Sequence, residues 1–413
     1  MREKVSVTDT GIQSSGLPKD YMEAVAEYIW NGFDAGASLI DIEFDSNEID
    51  TINSLSITDN GTGIDFTQLK ETFGNFNDSI KKASFQKSSS FIKGNKGRGR
   101  FSFAAFSGKA RWETIYKEGE QLFEYDITIT RHAKDFFEKD NRKNSNKQQT
   151  GTKVIFYELF DVTAFSFQSE DFKNFLAREF GWFLMLNREK DYKIRINGKT
   201  VEYVQLIAEN DAGTIALKDN EGIQYYFRIT FVRWSERIGD KFFFYFLNSK
   251  QTEVFKDLTS FNNNAIGFYH SVYVESRYFD SFHPTDTEPN MFEKTKHHNV
   301  FRALMAHLHE LLRLRQKAFV DDTAAGKLID VYERNGVLPR IEDEEKRKEF
   351  QHTLKSIFSM EPRLFQGLNK EQQRVYTGLI GILLQTGKKD ELITLISQLS
   401  AATEVIIGIK DVS

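Results

Sequence analysis

Between residues 21 and 33 the apolar side chains Tyr21, Met22, Val25, Tyr28, Ile29 and Phe33 recur at intervals of three and four. That is the spacing of one buried helix face, so a helix is predicted over 21–33, ending at Ala35-Gly36-Ala37 where a glycine can cap it. Two period-two segments follow, LIDIEFD (39–45) and INSLSIT (52–58), and predict half-buried strands joined by a polar turn at Ser46-Asn47. Residues 65–80 read as a helix, and 81–100 as a loop rich in lysine and serine that ends in a glycine cluster. Strand patterns resume at 111–117, 121–131 and 153–159, with a charged loop, AKDFFEKDNRKNSNKQQ (133–149), before the last of them. An amphipathic helix is predicted over 172–186, then a strand over 192–197 with a turn at Gly198-Lys199.

Beyond residue 200 the segments 224–231, 242–247 and 266–274 are aromatic and β-branched, which predicts strands, and 300–319 predicts one long helix. From about residue 321 the patterns at 344–358, 370–385 and 390–399 are all helical. An α+β chain of several domains is expected: an arm at 1–18, a first domain at 19–200, a second at 201–320 and a helical region at 321–413. No fixed-period repeat is visible, which disfavours a solenoid.

Composition removes several chemistries. The absence of cysteine excludes disulfides, thiolate zinc sites, iron–sulfur clusters and cysteine nucleophiles. No stretch approaches the roughly 18 apolar residues that span a bilayer, and the first residues lack an apolar leader core. A soluble, cytoplasmic protein with no membrane partner is expected. The net charge of -5 gives no global basic field, so nucleic-acid binding would need a local patch or a partner. Thirty-eight phenylalanines point to aromatic packing in cores and interfaces, not to a particular reaction.

Three polar clusters stand on three successive elements. Glu27, Asn31 and Asp34 share one stripe of the first helix, so two carboxylates and an amide would line a cleft wall. A carboxylate there can deprotonate water, and an amide oxygen one turn away can ligate Mg2+. Taken alone, the same spacing also fits a solvated helix face. Asp59-Asn60-Gly61-Thr62-Gly63 follows a strand end, where a carboxylate can accept from an adenine amino group and the glycines admit a flat ring. As a lone motif it is also a common turn. Gly94-Asn95-Lys96-Gly97-Arg98-Gly99 then leads into what reads as a helix start at 100–106, and closely spaced amides at a helix N-terminus suit a triphosphate. No Walker-type or Rossmann glycine pattern occurs.

In order along the chain, EAVAEYIWNGFDAGA, ITDNGTGI, KGNKGRGRFSFAAFS and Gly151-Thr152 resemble the four motifs of the GHKL superfamily of gyrase, heat-shock chaperone, histidine kinase and MutL. The resemblance covers about the first 200 residues. It implies a Bergerat fold, a mixed sheet with helices on one face, that binds ATP with Mg2+. It also implies Glu27 as general base, Asn31 on Mg2+, Asp59 on adenine with Gly61 and Gly63 beside it, and Thr152 supporting the base through water. Asp34 would join the cofactor-binding wall, while Gly94, Lys96, Gly97, Arg98 and Gly99 would close over the phosphates. Trp30 departs from the pattern, standing where MutL-like proteins carry an acid, and the glycine-rich lid is more basic than expected. Residues 201–320 resemble the transducer domain, a ribosomal S5-like α/β unit, and Phe292-Glu293-Lys294-Thr295-Lys296 resembles the loop that inserts a lysine. Lys296 is nominated for that role, with Lys294 second.

Histidine kinases need a phosphoacceptor upstream of the ATPase, yet the first histidine here is His132. The expected activity is ATP hydrolysis driving closure of a nucleotide-dependent homodimer, a switch of the MutL, MORC or heat-shock-chaperone type. The C-terminal region would carry a protein partner or nucleic acid. Alternatives are the ATPase subunit of a DNA-handling or anti-phage defence system with a separate nuclease, and a chaperone with protein clients.

Overall fold

A computed structural model describes residues 2–4, 18, 20–69, 99–134, 136–259, 267–281, 299–319, 325–360, 362–365, 368–388, and also 391, 392, 394, 396 and 398. Helix α1 is Tyr21–Asp34. Asp20 caps it by accepting from Met22 N at 2.6 Å, Glu23 complements the positive first turn, and Gly36 at φ 77° lies past its end.

Ten strands form the first sheet: β1 (Arg2–Lys4), β2 (Leu39–Ser46), β3 (Ile52–Asp59), β4 (Ser107–Glu118), β5 (Gln121–Thr130), β6 (Phe136–Lys139), β7 (Lys143–Asn144), β8 (Gly151–Leu159), β9 (Lys193–Ile196) and β10 (Lys199–Thr200). Their order is β1-β6-β5-β4-β8-β3-β2-β9-β10, with β7 beside β5. Among these pairings β2 with β9 is parallel, Ile40 facing Ile194, and the rest are antiparallel. A parallel neighbour requires a crossover, and α2 (Ala164–Gln168) and α3 (Glu170–Leu186) lie within it. Alternation sends Ile42, Ile57, Trp112, Ile127 and Phe156 inward, where they pack with Val25 and Ile29 of α1 and Phe172, Leu176 and Phe180 of α3. Lys109, Arg111 and Glu113 project from the opposite face of β4 and stay partly exposed. The sheet is therefore mixed, with its helices on one face, as expected.

Two local expectations need correction. The charged loop at 133–149 contains β6 and β7, which pair with β5, and β6 also carries β1 at the sheet edge. Phe137 makes this possible by burying fully among charged neighbours. The helix expected from Arg100 is a 3-10 run, Gly99–Ala105, that leads directly into β4. The buried Tyr28 hydroxyl fixes it, donating to Arg100 O (2.9 Å) and accepting from Phe103 N (3.2 Å).

The second sheet contains β11 (Ile207–Lys218), β12 (Gln224–Trp234), β13 (Phe243–Leu247), β14 (Glu253–Leu258) and β15 (His270–Glu275), in the order β11-β12-β15-β13-β14. Both of its faces are covered, which explains the nearly unbroken apolar run of β13. Phe244 and Phe246 face α4 (Asn299–Phe319) and its stripe Phe301, Leu304, Leu308 and Leu312. Tyr245 and Leu247, with Trp234 and Tyr273, join the core of the first sheet instead. Arg315 of α4 ties down the edge strand by bonding Glu209 and Asp211 of β11. Helices α5 (Ala325–Arg334), α6 (Glu344–Met360) and α7 (Lys370–Gln385) share a third core around Tyr332, Phe350, Leu354 and Ile380. Among the described residues no helix is long and apolar enough to cross a membrane.

Candidate functional site

Glu27, Asn31 and Asp34 are half-buried along one side of α1, while Tyr28, Ile29, Trp30 and Phe33 are buried. Because Tyr28 pins the 3-10 run, Gly99 comes down on this wall. A Cβ at Gly99 would stand 2.8 Å from Glu27 Oε2 and 3.1 Å from Asn31 Nδ2, so the absence of a side chain lets the main chain of the 3-10 run lie directly against both residues. The next residue, Arg100, is buried with its guanidinium over the Phe101 ring, and burial pulls its pKa down to about 9.

Asp59 closes β3 on the other side of the helix backbone. A Cβ at Gly32 would meet Asp59 Cβ at 3.0 Å and Ile40 Cδ1 at 2.4 Å, so α1 lies directly against the end of the sheet. Burial pushes the Asp59 carboxyl up to about 6, although it accepts from Gly61 N at 2.8 Å and from the Thr152 backbone, both of which pull the other way. The turn after it is equally tight. A Cβ at Gly61 would lie 2.8 Å from Ala35 O, and Thr62 N donates to that same oxygen at 2.9 Å. Gly63 has φ 74°, and a Cβ there would come within 2.0 Å of Ile115 O.

Thr114 links these pieces. Its hydroxyl accepts from Ile64 N (2.9 Å) and lies 3.2 Å from the Thr152 hydroxyl. Tyr125 then donates to Ile64 O at 3.0 Å. Asp59, Gly61, Gly63 and Thr152 thus meet around the end of β3, which touches α1 at Gly32 and Ala35, and Glu27, Asn31 and Gly99 meet along the side of the same helix. Asp34 follows Asn31 on α1 with its Oδ1 withdrawn from solvent. Gly94, Lys96, Gly97 and Arg98 lie outside the described residues, as do Lys294 and Lys296. A separate open cleft of about 520 Å³, lined by Asn60, Lys117, Leu122, Gln148 and Thr150 among others, includes none of the predicted site residues.

Sequence reasoning passed over Gly32, Tyr28 and Thr114. A glycine inside a predicted helix is the one signal available for Gly32, because helix propensity alone disfavours it there. Tyr28 and Thr114 reveal themselves only through partners distant in sequence.

Residues 20–153 match the family described as histidine kinase-, DNA gyrase B-, and HSP90-like ATPase. The matched stretch begins at the α1 cap and ends inside β8, taking in every described candidate residue. Over these residues the chain is similar to a GHKL-type ATPase domain, and its mixed sheet is consistent with the Bergerat fold. Domains of this type bind and hydrolyse ATP with Mg2+. No curated protein matches the chain.

Proposed function

We propose that this chain hydrolyses Mg-ATP beside α1, between Glu27 and Asp59, and uses the cycle to close a homodimer on a macromolecular partner. One observation carries the reading: Gly99, at the end of the glycine-rich segment, lies against Glu27 and Asn31 while Gly32 sets the same helix against Asp59. In this scheme Asp59 accepts from the adenine amino group, and Gly61 and Gly63 let the main chain approach the ring. Glu27 takes a proton from the attacking water, which bonds to the terminal phosphorus as the bond to the ADP oxygen breaks. Thr152 steadies both ends, through its backbone to Asp59 and its hydroxyl toward the water.

Asn31 offers a hard oxygen beside a carboxylate, a donor set suited to Mg2+, with Asp34 one turn further along the wall. The ion supplies charge neutralisation for the phosphates. Gly94, Lys96, Gly97 and Arg98 would complete the phosphate cover, and Lys296 would reach the terminal phosphate from the second unit. The proposed division is an arm at 1–18, an ATPase domain at 19–200, a transducer-like domain at 201–320 and a helical region at 321–413. The net charge of -5 favours a protein partner over autonomous duplex binding. Phosphate release from ATP with and without Mg2+ tests the activity. Mass in solution with a non-hydrolysable ATP analogue tests closure: dimers are expected, and a strict monomer at high concentration overturns it.

A further inference from the structure

Trp30 stands on α1 immediately before Asn31 and is buried. Its ring packs on Phe180 (4.7 Å), Phe183 (5.3 Å) and Trp182 (5.8 Å), all on α3, and its indole N–H donates to Glu179 Oε1 at 2.9 Å. The second sheet holds the same turn of α3 from another side. Trp182 stacks on Tyr245 at 5.5 Å, Tyr245 stacks on Tyr273 at 5.1 Å, and the Tyr273 hydroxyl donates to Trp182 O at 3.0 Å. The loop at 235–241, which joins β12 to β13, adds a grip of its own. Gly239 N donates to Arg178 O at 2.8 Å, Arg178 pairs with Glu236 at 3.2 Å, and Ile238 is buried in the first core.

Glu179 is where the two contacts meet. One carboxylate oxygen accepts from the indole on α1, and a Cβ on Gly239 would stand 2.6 Å from the other and 2.8 Å from the Glu179 carbonyl. The glycine therefore lets the loop lie flat against this residue. We propose that Trp30 and Glu179 form a seat through which the 235–241 loop of the second sheet positions the helix bearing Glu27 and Asn31. Both are positioning residues and act through α1. The Asp59 carboxylate takes its donors from its own turn and from β8, and that turn meets α1 at Gly32 and at the Ala35 carbonyl rather than at Trp30. Turnover then depends on the loop more steeply than adenine binding does, since a base displaced by about 1 Å can cost 10²-fold. The kinetic half of the inference rests on the ATPase reading, whereas the mechanical half does not.

The test compares Glu179→Ala, Glu179→Gln and Gly239→Ala with the wild type in the full chain. Amide hydrogen exchange across residues 27–34 is read first, without nucleotide. Glu179→Ala and Gly239→Ala are expected to speed it about tenfold, the scale of one lost charge-assisted hydrogen bond, and Glu179→Gln to stay near wild type because it keeps an acceptor. The kcat for ATP is expected to fall 10- to 100-fold in the first two variants with adenosine affinity within about twofold. Unchanged exchange in Glu179→Ala overturns the seat, as does adenosine affinity falling in step with kcat. A wild type that turns over no ATP overturns the ATPase reading, and exchange alone then decides the seat.

Discussion

At one end of the candidate site Asp59 is gripped by main-chain donors from its own turn and from β8, with glycines at 61 and 63 that leave no room for a side chain. At the other end Glu27 and Asn31 stand on a helix that rests, through Trp30, on α3. The first end is tied by main-chain bonds to its own turn, to β8 and to the end of α1; the second is held by side-chain packing on α3. A site of this kind can separate holding a ligand from acting on it, because different contacts govern the two.

The sharpest way to break that contrast is Glu27→Ala. Turnover is expected to fall by about 10² to 10⁴, the usual weight of a general base, with ATP affinity kept. Steady-state phosphate release together with calorimetry checks it, and unchanged turnover would place the base elsewhere. Gly63→Ala attacks the Asp59 end instead. With a left-handed φ and Ile115 O in the way, it should cost about 2–3 kcal/mol in urea unfolding, and a change within error would mean that the turn yields. Asp59→Asn should weaken ATP binding about 10- to 100-fold and alter kcat at saturation far less. Equal losses in both quantities would erase the distinction between the two ends.

The smallest effect concerns pH. Burial favours the protonated Asp59 carboxyl, whereas an adenine amino donor favours the ionised one. Adenosine affinity should be flat above about pH 7 and fall toward tenfold per pH unit below about 6, with Asp59→Asn showing no such slope. The sign for stability is opposite. A carboxyl raised from 3.8 to about 6 stabilises the ligand-free fold fully below pH 3.8, and that contribution is lost as pH rises through 6. Unfolding free energy relative to Asp59→Asn should therefore drop by about 1–3 kcal/mol across that window.

The elements that carry the candidate site were legible where one face is buried and the other wet. The alternation in LIDIEFD and INSLSIT located β2 and β3 to within a residue at either end, and the three-four spacing did the same for α1. β11 escaped because an edge strand carrying Glu209, Asn210 and Asp211 shows little alternation, its register coming from pairing with β12. β6 was hidden in a run of charges, and the turn at 99–105 depends on Tyr28, far away in sequence. Among the candidate site residues, the acids, the amide and the glycines stood out by type and spacing. Gly32 did not, since its value lies in touching Ile40 and Asp59, and the place of Trp30 on α3 is wholly tertiary.

The parallel pairing of β2 with β9 has a consequence for how the chain is made. Ile40 leaves the ribosome long before its partner Ile194, and so does α1 before the α3 aromatics that hold Trp30. At translation rates of about 5–20 residues per second, the half-built sheet keeps one strand edge unmatched for about 8–30 s. Throughout that interval the nascent chain is a target for chaperones that shield sticky surfaces.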